Sequence, residues 1–159
     1  MDKKVRRAVI GDVVKIMPLL TSVDKFHIDN RKDVFHDAGF LYSEYEIKTA
    51  IEEDNGLYIF VSTSEINEIT GVLLCYFDEI QDSSIFLDSK KLWIDNNCVG
   101  KPYRKEGYGK MLLDYAKTFA KENGCSSIEL IVWDFNKNAH DFYKSQGMTE
   151  KHYTMEYIL

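Results

Sequence analysis

The run Leu92–Trp133, LWIDNNCVGKPYRKEGYGKMLLDYAKTFAKENGCSSIELIVW, decides how the chain is read. Leu92–Val99 has the character of a central strand. Gly100–Lys110 is rich in glycine and basic residues, as a tight connection requires. From Gly109 to Asn123, Leu112, Leu113, Ala116, Phe119 and Ala120 recur at helical spacing, and Asn123-Gly124 supplies a C-cap. Ser127–Trp133 (SIELIVW) is a short continuous apolar run, expected of a strand in a covered sheet.

Working outward, Lys137–Gln146 reads as a short helix closed by Gly147, and Lys151–Ile158 as a last strand with Tyr153, Met155 and Tyr157 on one face. Upstream, Lys4–Ile10 reads as a first strand. Val13, Ile16, Met17 and Leu20 form the stripe of a helix that Asp12 would N-cap and that Pro18 should kink or weaken. Lys25–Tyr42 mixes aromatic and charged residues with no winning period. Ser43–Glu46 fits a capping box followed by Ile47, Ala50 and Ile51 on one helical face. Leu57–Ser62 and Ile69–Ile80 flank a turn at Ser64–Asn67 and predict a hairpin. The element order predicts an α/β sandwich: one mixed, mostly antiparallel sheet of about six to seven strands, flanked by about four helices.

The chain of 159 residues has the size of one domain, and residues 1–159 are expected to form one. Lys and Arg number 20 against 26 Asp and Glu, a net charge of −6. That balance repels phosphate backbones, so neither nucleic acid nor an anionic membrane is the expected partner, while a cationic small molecule is compatible. No apolar targeting segment or membrane-length run is visible. Cys75, Cys98 and Cys125 are odd in number and form no CxxC, which predicts a reducing, cytoplasmic setting. The four histidines show no metal-ligand spacing, and no metal is expected.

The chemistry-bearing stretch is Val99-Gly-Lys-Pro-Tyr-Arg-Lys-Glu-Gly-Tyr-Gly-Lys110. A strand ends and a helix begins, so unpaired amides and the positive end of the helix dipole meet where glycines allow close approach. Such a place can hold a pyrophosphate; it can equally be an ordinary strand–turn–helix connection. A Walker A loop and a dinucleotide fingerprint both fail, the second because position 112 is leucine.

Val99, Tyr103, Arg104, Gly107 and Gly109 match in register the V-x-P-x-Y-R-G-x-G-x-G loop of the GNAT N-acetyltransferase superfamily, which this chain therefore resembles. Pro102 falls one place late, and Lys105 stands where glycine is usual. Downstream, Asn136-Lys-Asn-Ala-His-Asp-Phe-Tyr143-Lys-Ser-Gln-Gly-Met148 looks like that family's N-x-x-A-x-x-F-Y-x-x-x-G-F/M signature. Arg6-Arg7-Ala8 with Asp12 is similar to its start, and Lys90–Val99 to polyamine-acetylating members.

The resemblance implies transfer of an acetyl group from acetyl-CoA, as co-substrate, to a primary amine. An alkyl ammonium with a pKa near ~10.4 must first lose a proton. The tetrahedral oxyanion needs a placed donor, and the departing thiolate an acid. By this resemblance Tyr143 is the general acid and Asp95 the base. Strand alternation puts Asp95 on one face with Asn97 and Val99; Glu79 and Glu129 are rival bases. The Val99 amide is implied as donor to the thioester carbonyl, with Asn97 and Cys98 beside it. Arg104, Lys105, Glu106, Gly107, Tyr108, Gly109 and Lys110 are implied to hold the pyrophosphate. Asn136 is implied to bond the pantetheine arm or loop, although it also fits a helix N-cap. Tyr143 could instead be a packed core aromatic, and Cys98 has no neighbour in sequence that would make it a nucleophile. Asp29, Asp33, Asp37, Glu44 and Glu46 border the expected acceptor lid and would suit a cationic amine, or else simply face water.

The expected protein is thus a cytoplasmic N-acetyltransferase for a small cationic amine. Alternatives are an acetyltransferase for a protein N-terminus or lysine, an acyl-CoA-binding sensor without turnover, and an interaction domain that binds no CoA. A homodimer through the last strand and Leu159 is an open alternative.

Overall fold

The computed structural model describes residues 3–159. Its elements, in order, are β1 (Lys4–Arg7), α1 (Val13–Asn30), α2 (Glu44–Glu53), β2 (Tyr58–Thr63), β3 (Ile69–Ile80), β4 (Ser89–Val99), α3 (Tyr108–Glu122), β5 (Ser127–Glu129) and α4 (Lys137–Ser145). The strands form one mixed sheet in sequence order. β1 through β4 pair antiparallel, and β4 and β5 pair parallel. Among the described residues, no helix is long and apolar enough to cross a membrane.

Each sheet face carries its own core. Ile16 and Leu20 of α1 and Ile47 and Ala50 of α2 pack with Val61, Val72 and Leu74 on one face. Leu112, Leu113 and Ala116 of α3 pack with Phe60, Leu73 and Leu92 on the other. Period-two alternation along β2 and β3 thus feeds both cores, as a sheet covered on both faces demands.

Two helix expectations change. Asp12 makes no side-chain cap on α1. Its carboxylate turns back to accept from Arg6 at 2.5 and 2.9 Å and from the Val9 amide at 2.9 Å. Pro18 does not end α1, which runs unbroken from Val13 to Asn30. The carbonyl it deprives of a partner belongs to Val14, which is exposed, so water can serve it. The capping box at Ser43 is present, with reciprocal bonds to Glu46 at 3.2 and 2.7 Å. The unperiodic stretch Lys25–Tyr42 divides into the end of α1 and a loop.

The strand count is five, not six or seven. β5 stops at Glu129 rather than Trp133, and Lys151–Ile158 forms no strand. A strand exists only against a partner, and neither segment has a ladder beyond Glu129 among the described residues.

The Arg6–Asp12 pair generates a stability prediction. Burial disfavours the Asp12 carboxylate, but the Arg6 hydrogen bonds, the Val9 amide and the Arg6 charge outweigh it and hold the carboxyl below its usual range. A depressed folded-state pKa stabilises above the ordinary carboxylate value and loses that contribution as pH falls through the folded value. We expect Asp12→Asn to lower unfolding free energy by about 2 kcal/mol at pH 7. In urea titrations the deficit should shrink steadily below about pH 4.

Candidate active site

The β4–β5 ladder contains only three pairs, Lys91–Trp93 with Ser127–Glu129. Beyond Trp93 the strands share no pairing, so the distal half of β4 has an open edge. Gly100 donates to Thr70 at 2.9 Å. Alternation along an antiparallel ladder then directs the Asn96 and Cys98 amides to β3, and the Asn97 and Val99 amides to the open edge. Arg104 Nε covers the Val99 carbonyl at 3.1 Å.

The connection after β4 presents more unpaired donors. Lys101–Tyr103 is a short 3-10 turn. Lys105 then adopts φ 66° and Gly107 φ 90°, both left-handed. The first backbone bond into α3 is from the Met111 amide to the Gly107 carbonyl at 3.0 Å. Among the described residues, the six amides Lys105–Lys110 have no acceptor within the protein. With the helix dipole behind them they can hold an anion. Lys105 takes the conformation for which glycine is usual, so the departure keeps the loop's shape at a strain of roughly 1 kcal/mol. The loop's side chains do less. Tyr108 is buried against Tyr103, Lys110 is ion-paired with Asp114, and Glu106 pairs with Lys3 at 3.8 Å. A Cβ on Gly109 would sit 3.5 Å from Phe142 and 3.7 Å from Val99, which places α3 closely against α4 and β4.

Tyr143 packs on the α3-side core beside Phe142. Burial pushes its hydroxyl up to about 12, while a hydrogen bond from the Asn97 side chain pulls the other way. The hydroxyl is therefore protonated at neutral pH and can donate. Asn97 Oδ1 is buried with no partner among the described residues. Asn136 caps α4 by accepting from the Ala139 amide at 3.2 Å, so its Oδ1 is committed and its Nδ2 is not.

Asp95 departs from the expected alternation. Ile94 pairs with Cys75 and Asn96 with Leu74, leaving Asp95 as the extra residue of a β-bulge. It accepts from Tyr42 at 3.0 Å, and Tyr42 packs on the α1-side core. Asn97 lies opposite Leu73, and Val99 packs on the α3-side core. The bulge thus puts Asp95 on the sheet face opposite Asn97 and Val99. Burial raises the Asp95 carboxyl, and the Tyr42 bond only partly offsets this. Cys98 also turns to the α1 side, where its thiol meets the Leu19 carbonyl at 3.6 Å and is pushed up by burial. It is therefore no ready nucleophile.

The rival carboxylates are already paired. Glu79 holds Lys90 at 3.2 Å, and Glu129 is held by Lys91 at 3.4 Å and by Lys151 at 2.5 Å. Of the acidic lid residues, Asp29 pairs with Lys25, Asp33 with Arg31 and Glu44 with Lys48, while Glu46 caps Ser43. Three neighbours escaped the sequence reading. Tyr42 came from the stretch without a period. Tyr76 lies near Asp95, its ring 6.4 Å from Trp93. His27 joins Phe26, Phe35, Trp133 and Phe135 in an aromatic cluster, with Nδ1 against the Val23 carbonyl at 2.8 Å. Only the density of rings in 26–42 and 133–135 hinted at it.

An antiparallel sheet whose one parallel pair parts beside a helix start with unpaired amides is the frame of a known group of transferases. A profile described as acetyltransferase (GNAT) family matches residues 21–148, and the chain belongs to that family. It is 33% identical over 82 residues to an uncharacterized N-acetyltransferase of Lactobacillus delbrueckii subsp. lactis, across 52% of this chain and 46% of that one. It is 33% identical over 58 residues to a thialysine N-epsilon-acetyltransferase of Bos taurus, across 36% of this chain and 34% of that one. The chain thus matches less than half the length of either relative. A mutant of the BH1408 protein from Bacillus halodurans superposes with a TM-score of 0.91 at 25% identity, covering 98% of both chains.

The Lys105 strain is open to measurement. We expect Lys105→Gly to raise Tm by about 2 °C, because relief of the left-handed strain exceeds the added unfolded-state freedom. A lowered Tm would show that the lysine side chain stabilises the loop.

Proposed function

We propose that the protein is an acetyl-CoA-dependent N-acetyltransferase acting on a small cationic primary amine in a ternary complex. The observation that carries this reading is the row of acceptor-free amides Lys105–Lys110 beside the open edge of β4 and the protonated Tyr143. The amides and the α3 dipole suit a pyrophosphate, with Arg104 and Lys105 adding positive charge. The open Asn97 and Val99 amides suit the amide-bearing arm and the thioester carbonyl. Asn136 Nδ2 can add a donor at the mouth.

On the opposite face, Asp95 with Tyr42, Tyr76 and Trp93 suits an alkylammonium: a carboxylate neutralises it and rings favour its cation. Asp95 then accepts a proton from the amine, directly or through water. The neutral amine attacks the thioester carbon, the Val99 amide faces the oxyanion, and Tyr143 protonates the departing thiolate. The bovine relative named for thialysine supports an acceptor with a free amine on an alkyl chain. The reading includes a single cytoplasmic domain, supported by three free cysteines, and a homodimer.

Two measurements test it. Acetyl-CoA should raise Tm, and a null shift would sink CoA binding altogether. In a thiol-release assay over an amine panel, Tyr143→Phe should lower kcat about 100-fold with the CoA shift retained. Equal turnover by the Phe variant would remove Tyr143 from the acid role, and absence of turnover by the unmodified protein would favour a CoA-binding sensor. Because the Tyr143 hydroxyl is held up to about 12, activity should rise from pH 7 to 9 as the amine deprotonates, with no basic limb from Tyr143 below pH 10. Asp95→Asn should lower kcat/KM about 10-fold or more for cationic amines.

A further inference from the structure

We propose that the acceptor is an amino acid whose side chain ends in the reacting primary amine, and that Arg31 binds its α-carboxylate at the place Glu156 occupies. The inference rests on the transferase reading and narrows its acceptor from cationic amines in general to one class.

Arg31 stands just past the end of α1, partly buried, with its guanidinium 5.3 Å from the centre of the Trp133 ring. Its two edges are used differently. Asp33 accepts from Nε at 2.9 Å and from Nη2 at 2.8 Å. Glu156 meets the other edge with both oxygens, Oε1 on Nη1 at 3.0 Å and Oε2 on Nη2 at 3.1 Å. Two parallel bonds of this kind are how a guanidinium grips a carboxylate, whether a side chain or a ligand carries it. Asp33 is local and fixes the orientation of the fork. Glu156 comes from the far end of the chain, and its side chain is 58% exposed. Among the described residues, no other hydrogen bond or ion pair reaches residues 152–159. A ligand carboxylate can therefore replace Glu156 without breaking any backbone bond.

The fork borders the acceptor side of the wedge. The loop that begins at Arg31 runs to Tyr42, whose hydroxyl donates to Asp95 at 3.0 Å. Between them Phe35 packs edge-on against Trp133, with ring centres 5.5 Å apart. Trp133 lies on the continuation of β5, across the parting from Asp95 on β4. Arg31 and Asp95 thus flank one space on the α1 side, yet Asp95 is not among the carboxylates that reach Arg31. A ligand that uses both needs an ammonium at one end, a carboxylate at the other and a chain of methylenes between. The partly buried rings of Phe35 and Trp133 suit such a chain. Once Glu156 is displaced, Asp33 keeps lone pairs beside the fork for the α-ammonium. A diamine of the same length has no carboxylate, so it leaves Glu156 in place and gains nothing from Arg31.

Lysine and cadaverine, like ornithine and putrescine, differ only in the α-carboxylate. In the thiol-release assay the unmodified protein should show a kcat/KM about 10-fold or more higher for each amino acid than for its diamine. Mass spectrometry should place the acetyl group on the side-chain nitrogen. Arg31→Gln should bring the ratio of amino acid to diamine to about 1, and Glu156→Gln should raise it about threefold. The ratio divides out any general loss of folded enzyme, and where Arg31→Gln does not fold, Glu156→Gln decides alone. No turnover of either amino acid, a ratio near 1 in the unmodified protein, acetylation of the α-nitrogen, or a ratio that neither substitution moves overturns the proposal and leaves the transferase reading to the wider amine panel. No turnover of any amine together with no Tm shift from acetyl-CoA overturns both.

Discussion

The structure turns on the parting of two parallel strands. β4 and β5 share three pairs and then separate, and the helix that connects them begins at the point of separation. Backbone amides that would have been consumed in a ladder are left facing an open wedge, and among the described residues six more have no acceptor at the start of α3. Most of these residues are exposed, so water or a ligand can serve their amides. The co-substrate site proposed above rests on this arrangement of main chain. Side chains enter as refinements: Arg104 on the Val99 carbonyl, and Gly107 in a conformation that other residues rarely take.

The bulge at Asp95 gives the wedge two unlike faces. Without it, Asp95 would point with Asn97 and Val99 toward α3. With it, the carboxylate turns to Tyr42 and the α1 side, while Asn97 remains with Tyr143. The phenol proposed as acid and the carboxylate proposed as base are thereby kept on opposite sides of one strand, each shifted by burial. Tyr143 is held protonated and Asp95 is raised. Separation of this kind lets a proton be taken on one side and delivered on the other without the two groups neutralising one another. The pairing of Glu79 and Glu129 with lysines leaves Asp95 as the half-buried carboxylate of β4 not held by a cation.

The C-terminal quarter differs from the rest in kind. The sheet from β1 to β4 is covered on both faces, and its helices bury their apolar stripes. α4 buries none of its residues fully, and the tail after it none at all. The same parting of the strands leaves β5 short, so the outer flank lacks the cover that a longer strand would have drawn onto it.

What the sequence determined by itself was local. The 3.6 and 2.0 periods placed α2 to α4 and β1 to β4 within a few residues and the start of α1, though not its end at Asn30, because each buries a face whose pattern is written along the chain. The cap at Ser43, the cap at Asn136 and the glycine-rich turn into α3 were legible for the same reason, since their partners lie a few residues away. Only the tertiary structure decided the rest. Arg6 took Asp12 from its cap, the bulge turned Asp95 over, Tyr42 arrived from an unperiodic loop, and β5 ended at Glu129. Each of these depends on a partner distant in sequence. Apolar alternation, as at Lys151–Ile158, states that a strand could form but not whether another backbone lies within reach to form it with.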